Sequence, residues 1–511
     1  MFLAAENGAL PRGKVGGVGD VVRDMPAALV DAGWEVTVAT PAYGMFHDLP
    51  GAKSLGTVDI EFRGMTTAVE IFDVPGSVPR VRNIAFEHAN LSPQGRGQVY
   101  CSDEPARPFA ADANKFAFFC TAAAAWIDQL EALPDVVHLH DWHAAYYCLL
   151  REYGQYFERL RRTRTVFTIH NLSYQGIRPI SGDESALESW FPDLRYTYSA
   201  IRDPAYADCF NPMANAIRLA DIVSTVSPTY ATEICRPSNH ELGFIGGEGL
   251  EQELENARDS GRLVGILNGC QYNGSIGRRP GWQRILSLAS DQVAVWRAAD
   301  ISVRAHKVAG ETLQALPKRR PTHVLTSIGR LVRQKVSLFL EEMPNGQTAL
   351  ECILEELGST GILILLGSGE PVYEQRLLGI AERAKNLLFL RGYSESLADP
   401  LYRSGDLFLM PSSFEPCGIS QMLAMRATQP CVVHGVGGLK DTVENNRSGF
   451  VFAGQTPQQQ AENFVATVKR ALTLKTDKND EWQKICIRAA SARFSWAKSA
   501  QQTIEQLYDT A

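Results

Sequence analysis

Short apolar runs alternate with longer stretches of helical periodicity along the whole chain. In the first half, residues 2–5, 35–39, 136–139, 165–169 and 222–226 are apolar runs, most of them rich in β-branched or aromatic side chains and bounded by turn or charged residues. Their length and composition predict buried strands. Between the first two, residues 18–32 predict a helix that stops at Gly33. The second half repeats the grammar, with predicted strands at 324–328, 362–366, 387–390, 407–410 and 431–434. Strand–helix alternation predicts α/β units around parallel sheets, and its recurrence predicts two such domains. Residues 271–320 break the rhythm; with GRRPGW at 277–282 and PKRRP at 317–321 they read as an elaboration at the start of the second domain. QTPQQQ at 455–460 is a polar turn, residues 495–508 predict a closing helix, and no internal repeat is visible.

Composition narrows the classes. A chain of 511 residues, 45% hydrophobic with ordinary Gly and Pro usage, has room for two or three domains of roughly 100–200 residues each. A net charge of −7 and a pI of about 5.9, with no run of Lys and Arg, argue against nucleic acid and against a membrane surface as partners. No window approaches the roughly 20 consecutive apolar residues of a membrane helix. MFLAAENGALPRGK at the N-terminus lacks the basic and apolar regions of a secretory signal. The ten cysteines form no C-x-x-C pair and read as reduced thiols, mostly packed as small hydrophobes, in a cytoplasmic protein.

Residues that carry chemistry gather where the predicted strands end. KVGGVGD at 14–20 follows the first strand. Gly16 and Gly17 there would let backbone N–H groups approach an anion at a helix start, and Lys14 adds a positive charge. The glycine spacing is neither that of a Walker loop nor that of a dinucleotide fingerprint, and a tight strand-to-helix turn explains it equally well. IGRLVRQK at 328–335 puts Arg330 and Lys335 at or just beyond a strand end. Two cations there either neutralise a leaving diphosphate or form a solvated basic turn. GVGGLKDT at 435–442 offers backbone donors at another helix start, or is another tight turn.

VVHLHDWHA at 136–144 brings His138, His140, Asp141 and His143 together. The cluster suggests a metal at first sight, but its spacing matches no standard zinc site, and the expectation is no metal. Asp141, at the strand end, is either a functional acid or a helix N-cap. FTIHNLSYQG at 167–176 ends a strand at His170 and Asn171; alone, His170 is as readily a structural hydrogen-bonding residue as a site residue. GILNG at 265–269 places Asn268 at a strand exit, or in a plain Asn-Gly turn. In FEPCGISQ at 414–421, Glu415 precedes Pro416, where a carboxylate accepts two sugar hydroxyls or complements a helix N-terminus.

Taken in order, these segments resemble the bacterial glycogen synthases and plant starch synthases of the GT-B fold. The resemblance is carried by KVGGVGDV, HDWH, FTIHNLSYQG, TVSPTYATEI (225–234), GILNG, SIGRLVRQK, FEPCG and GGLKDTV, and runs from the N-terminus to FSWAKSA at 494–500. It implies a retaining hexosyltransferase that moves glucose from ADP-glucose, or UDP-glucose, to the non-reducing end of glycogen or another α-1,4-glucan, with no cofactor. It also implies two Rossmann-like domains facing across a deep cleft. Residues 1–262 would form the acceptor side and residues 263–492 the donor domain, with a C-terminal helix at 493–511 crossing back to the N-terminal domain. Arg330 and Lys335 would bind the diphosphate and stabilise the departing nucleotide, joined by Lys14 and the backbone of Gly16 and Gly17. Glu415, Cys417 and Gly418 would hold the glucosyl hydroxyls, with backbone donors from Gly438 and Leu439. His170 and Asn268 would sit beside the transferred glucose, Tyr393 would stack near the base, and Asp141 would lie near the acceptor or the reacting carbon. Trp142, His143, Asn171 and Tyr174 fall on the acceptor side. Stabilisation of the leaving group would matter more than general base catalysis.

The chain departs from the family pattern in places. Val336 replaces the glycine after the lysine, Cys270 and Gln271 replace the Val-Asp pair after Gly269, and Val436 replaces the threonine before Gly437. These changes raise a second reading, a catalytically weak paralogue that binds glucan or nucleotide sugar in a regulatory role. A third is a GT-B enzyme with a different acceptor. Every charged residue assigned to the donor is present, and HDWH and HNLSYQG lie on the acceptor side in that family, so an active α-glucan synthase is the favoured expectation.

Overall fold

The apolar runs become the strands of two sheets in a computed structural model that describes residues 1–272 and 278–509; Gly277 of the GRRPGW segment lies outside the described residues. The chain divides into two compact units. One comprises Met1–Ser238, Gly246–Gln271 and Ser495–Ala511, the other Asn239–Ile245 and Tyr272–Phe494.

The strands of the first unit are β1 (Phe2–Leu3), β2 (Val36–Pro41), β3 (Lys53–Phe62), β4 (Met65–Val74), β5 (Val81–Glu87), β6 (Val136–His140), β7 (Arg164–Ile169), β8 (Arg178–Pro179), β9 (Cys209–Phe210), β10 (Ile222–Thr225) and β11 (Leu263–Gly265). Nine of them form one sheet in the order β11-β10-β7-β6-β1-β2-β5-β4-β3, while β8 and β9 pair separately. From β11 to β5 every pairing is parallel, and β4 runs antiparallel to both β5 and β3. The inner parallel strands are buried on both faces, which is why they read as continuous apolar runs, while the edge strand β11 is half-buried. The β3–β4 hairpin is half-exposed, with Val58, Ile60 and Phe62 inward and their neighbours outward.

Helix α1 (Gly17–Asp31) lies where the periodicity puts it and buries Val21, Val22, Met25 and Leu29 in one cluster with Phe2 and Val38. It ends before Gly33, whose φ of 95° is a conformation that glycine adopts without strain. Helix α2 (Ala110–Gln129) is buried almost all round. The last segment is helical over Trp496–Thr503 and widens into a π turn at Ile504–Tyr508. Its Trp496, Ala500, Leu507 and Tyr508 complete the same cluster as Phe2. The boundary expected after residue 262 lies later. β11 pairs with β10 through Val223↔Leu263 and Thr225↔Gly265, so the segment through Gln271 belongs to the first unit. A run as short as Leu-Val-Gly carries no strand signal of its own.

The second unit holds β12 (His323–Ile328), β13 (Gly361–Gly367), β14 (Leu387–Arg391), β15 (Leu407–Met410), β16 (Cys431–His434) and β17 (Phe450–Phe452), all parallel in the order β14-β13-β12-β15-β16-β17. Alternate residues feed opposite faces, as the period of a strand requires. Leu325, Leu363, Leu365, Leu407 and Val432 pack with Leu350, Leu377 and Phe464 on one side. Val324, Ile362, Ile364, Phe408 and Val433 pack with Trp282, Ile285, Ala309 and Leu313 on the other. The irregular stretch after residue 271 thus supplies two covering helices, Trp282–Ala299 and Arg304–Ala315. Among the parallel strands of each sheet the order reverses once, between β1 and β6 and between β12 and β15. Open α/β sheets bind ligands beyond the C-terminal ends of the strands at such points.

Candidate active site

In the first unit, β1 delivers Glu6, β6 delivers Asp141 and β7 delivers His170, all just past strand ends. Glu6 is 2% exposed. Its Oε2 accepts the backbone N–H groups of Val15 (2.8 Å), Gly16 (2.6 Å) and Gly19 (3.2 Å), and its Oε1 accepts the Tyr100 hydroxyl (2.8 Å). The glycine-rich loop therefore folds around the chain's own carboxylate. The Gly16 amide, expected beside a diphosphate, is engaged with Glu6. Gly17 is exposed, and Lys14 reaches Asp20 at 2.7 Å from a half-exposed position.

Asp141 opens the short helix α3 (Asp141–Ala144) with a φ of 56°, a left-handed conformation uncommon outside glycine and costly unless the surroundings hold it. Its carboxylate does not cap its own helix. Oδ1 accepts the N–H of His170 (2.7 Å) and of Asn171 (3.4 Å), joining the ends of β6 and β7. Burial pushes this carboxyl up to about 7, against the pull of those two bonds, and the Glu6 charge adds to the rise. His170 is buried, and burial pushes its imidazole down to about 4. Its Nε2 lies 2.9 Å from His140 Nδ1. His138 bonds the Tyr508 hydroxyl (2.7 Å) and the Thr168 hydroxyl (2.6 Å). Among the described residues no three of His, Cys, Asp and Glu are grouped to hold a metal ion.

The residues expected on the acceptor side separate. Tyr174 is 57% exposed, and Asn171 and His143 are half-buried. Trp142 is buried edge-on between Phe109 and Phe116, so it supports the loop from beneath and offers no open face to a sugar. Asn268 follows β11 and so stands on the first unit, not on the donor domain assigned to it; its backbone N–H donates to Val226 O at 3.4 Å.

In the second unit Lys335 and Glu415 form an ion pair across the reversal between β12 and β15. The Ser412 hydroxyl donates to the same Glu415 oxygen at 3.0 Å. The flanking segments are stitched together by Gln334, whose Nε2 donates to Phe414 O (3.0 Å) and whose carbonyl accepts Ser413 N–H (2.8 Å). His434 Nδ1 donates to Ser412 O at 3.0 Å, and burial holds this imidazole down at about 4, hence neutral. Arg330 is exposed, has no partner among the described residues, and lines a hollow with Lys335, Gly329, Ser327 and Ser412. Tyr393, just past β14, is 66% exposed.

Gly437 explains the turn at 435–442. A side chain there would lie 1.9 Å from the Glu415 carbonyl oxygen, so only glycine lets the turn rest on the FEPCG loop. The Gly438 N–H donates to Glu415 O (3.1 Å) and Pro416 O (3.2 Å), and the Leu439 N–H to Val436 O (3.1 Å). The Gly438 amide, expected to face a sugar, holds the loop that carries Glu415, while the Leu439 amide closes its own turn on Val436. Cys417 is buried and Gly418 takes a φ of 76°, and both carbonyls accept the Gln421 side chain. Of the departures, Val336 is a core residue, Gln271 Nε2 donates to Asp24 Oδ1 at 2.7 Å, and Val436 occupies an N-cap position without a capping side chain. Glu6, Tyr100, Ser412 and His434 escape sequence reasoning. Only Glu6 carries a signal, an acid just past the first strand.

Residues 1–256 match the family described as starch synthase catalytic domain, and residues 322–472 match glycosyl transferases group 1. The glycogen synthase of Streptococcus sanguinis (strain SK36) is 34% identical over 531 residues, covering 100% of this chain and 99% of that protein. The glycogen synthase of Anaeromyxobacter sp. (strain Fw109-5) is 34% identical over 523 residues, covering 99% and 98%. Among solved structures, the catalytic domain of starch synthase IV from Arabidopsis thaliana bound to ADP and acarbose aligns with a TM-score of 0.76 and 27% identity, over 99% of this chain and 98% of that one. Sucrose-phosphate synthase from Thermosynechococcus elongatus shares the fold, with a TM-score of 0.56 and 17% identity over 99% and 97%.

Proposed function

The chain belongs to the glycogen synthase and starch synthase family of glycosyltransferases, and on that premise we propose that it takes ADP-glucose as donor and extends an α-1,4-glucan with retention of configuration. The observation that carries the assignment of roles is the Lys335–Glu415 pair at the strand-order reversal of the second sheet. Lys335, with the exposed Arg330, neutralises the donor diphosphate as the bond from the anomeric carbon to the phosphate oxygen breaks. Glu415 turns its carboxylate to the glucosyl hydroxyls. The acceptor hydroxyl attacks the anomeric carbon from the face the diphosphate leaves, and its proton passes to the departing phosphate oxygen. Asp141, Asn171 and Tyr174 serve the acceptor from the first unit, and Tyr393 serves the base. ADP in the starch synthase IV structure supports the choice of donor. That none of the ten cysteines forms a disulfide fits a reducing, cytoplasmic compartment. No helix among the described residues is long and apolar enough to cross a membrane.

Purified protein is expected to transfer labelled glucose from ADP-glucose to glycogen, and to do so faster than from UDP-glucose. Lys335→Ala and Glu415→Ala are each expected to cut turnover about a hundredfold or more while the fold is kept. Near wild-type turnover in either variant would remove that residue from the site, and faster transfer from UDP-glucose would reverse the choice of donor.

A further inference from the structure

We infer that His140 fixes the tautomer of His170, holding the single ring proton of His170 on Nδ1 so that it meets the sugar as a hydrogen-bond donor and never as a base. The identity of the sugar rests on the synthase reading above; the tautomer itself does not.

The geometry begins with strand period. His138 and His140 are two residues apart on β6 and so share a face. His140 is held by stacking, with its ring centroid 4.5 Å from that of His138 and 5.0 Å from that of Phe2. Its Nδ1 lies 2.9 Å from His170 Nε2, so one of the two nitrogens carries a proton and the other a lone pair. Burial holds His140 well below the ordinary imidazole value and His170 at about 4, so near neutral pH each ring carries one proton.

Two arrangements remain, and the far side of His140 chooses between them. His140 Nε2 is fully enclosed and has no partner among the described residues. If His170 donated, the proton of His140 would sit on Nε2, an orphaned buried N–H. If His140 donates from Nδ1, its Nε2 is a bare lone pair. Buried orphaned donors are rarer and more costly than under-satisfied acceptors. His140 is therefore the donor, His170 Nε2 the acceptor, and the proton of His170 is on Nδ1. His170 Nδ1 has no partner among the described residues and is not among the enclosed atoms, so it is the ring atom left for a ligand. An N–H there suits an oxygen of the glucosyl group. His140 touches no substrate and acts as a positioning residue.

The test uses the full chain labelled with 15N-histidine, read by NMR without substrate, with the His170 signals assigned by their loss in His170→Asn. The expected result is a protonated Nδ1 and an unprotonated Nε2 on His170; a proton on His170 Nε2 would overturn the inference. Kinetics provide the second reading. His140→Phe keeps a stacked ring but loses the donor, and kcat/KM is expected to fall about tenfold. His140→Asn places an amide N–H where Nδ1 was and is expected to recover to within about threefold. A folded His140→Phe variant with wild-type kcat/KM would also overturn it. If the wild-type protein transfers no glucose while His170 shows the expected tautomer, the synthase reading has failed and the tautomer assignment stands.

Discussion

Asp141 combines a left-handed backbone, a carboxylate 6% exposed and a neighbouring negative charge on Glu6. Each is unfavourable for folding, and together they mark a group kept for chemistry. A carboxyl raised on folding retains its proton where the unfolded chain has lost it. Its contribution to stability is thus full below the ordinary value of 3.8 and is lost as pH rises to the folded value of about 7. Asp141→Asn keeps an oxygen for both the His170 and Asn171 N–H groups and removes the titration. The variant is expected to gain stability over wild type as pH rises from about 4 to about 7, with a plateau above, amounting to about 1–4 kcal/mol. Its turnover is expected to fall, and wild-type transfer to rise with pH through about 7 as the carboxylate forms. Urea unfolding of both proteins across that range checks the stability claim; a constant difference would mean that the carboxyl is not raised.

The elements that place these residues are short loops whose shape depends on single glycines and buried rings. Gly176 ends the HNLSYQG segment with a φ of 70°, and a β-carbon there would lie 2.2 Å from the Trp142 ring. Trp142 follows Asp141 directly, so the clash would disturb the loop that aims the acid. Gly176→Ala is expected to destabilise the chain by about 1–3 kcal/mol and to lower turnover beyond that loss of folded protein. Thermal unfolding beside kinetics on the folded fraction checks it, and unchanged kinetics would separate Trp142 packing from Asp141 placement. Most of the parallel strands were legible because they are buried on both faces and read as plain apolar runs, whereas β5, β11 and β17 were not. The β3–β4 hairpin was not, because half its residues face outward, nor was α2, whose Ala-rich sequence has no polar face to set a period. That Asp141, Arg330, Lys335 and Glu415 lie just past strand ends was legible from the apolar runs before them. The engagement of Gly16 by Glu6 and of Gly438 by Glu415 was not, because which carbonyl or carboxylate meets a given amide is decided by tertiary contact.

For the whole molecule, the return of the C-terminal segment to the first unit has an energetic consequence. Trp496, Ala500, Leu507 and Tyr508 are buried in the cluster that includes Phe2, Val21, Met25 and Val38. Polar contacts reinforce the packing: Tyr508 with His138, Arg164 Nε donating to Leu507 O at 2.7 Å, and Ser499 Oγ donating to Leu267 O at 2.7 Å. Burying a large apolar side chain stabilises by about 1.5–3 kcal/mol. Removing Trp496, Leu507 and Tyr508 together therefore withdraws several kcal/mol, against a total of about 5–15 kcal/mol for a typical domain. It would also leave His138 without its hydroxyl partner and uncover Phe2 beside the Glu6 loop. The second unit has its own two clusters, which use Trp482, Ile485 and Ala489 and nothing beyond Phe494. A chain ending at Phe494 is thus expected to lose the first unit's folding transition, or to shift it to markedly lower urea, while the second unit's transition stays. Under limited proteolysis, cleavage should fall within residues 1–271 and spare 278–494. Identical unfolding curves and cleavage patterns for the full and shortened chains would show that the segment is an accessory to the first unit and not part of its core.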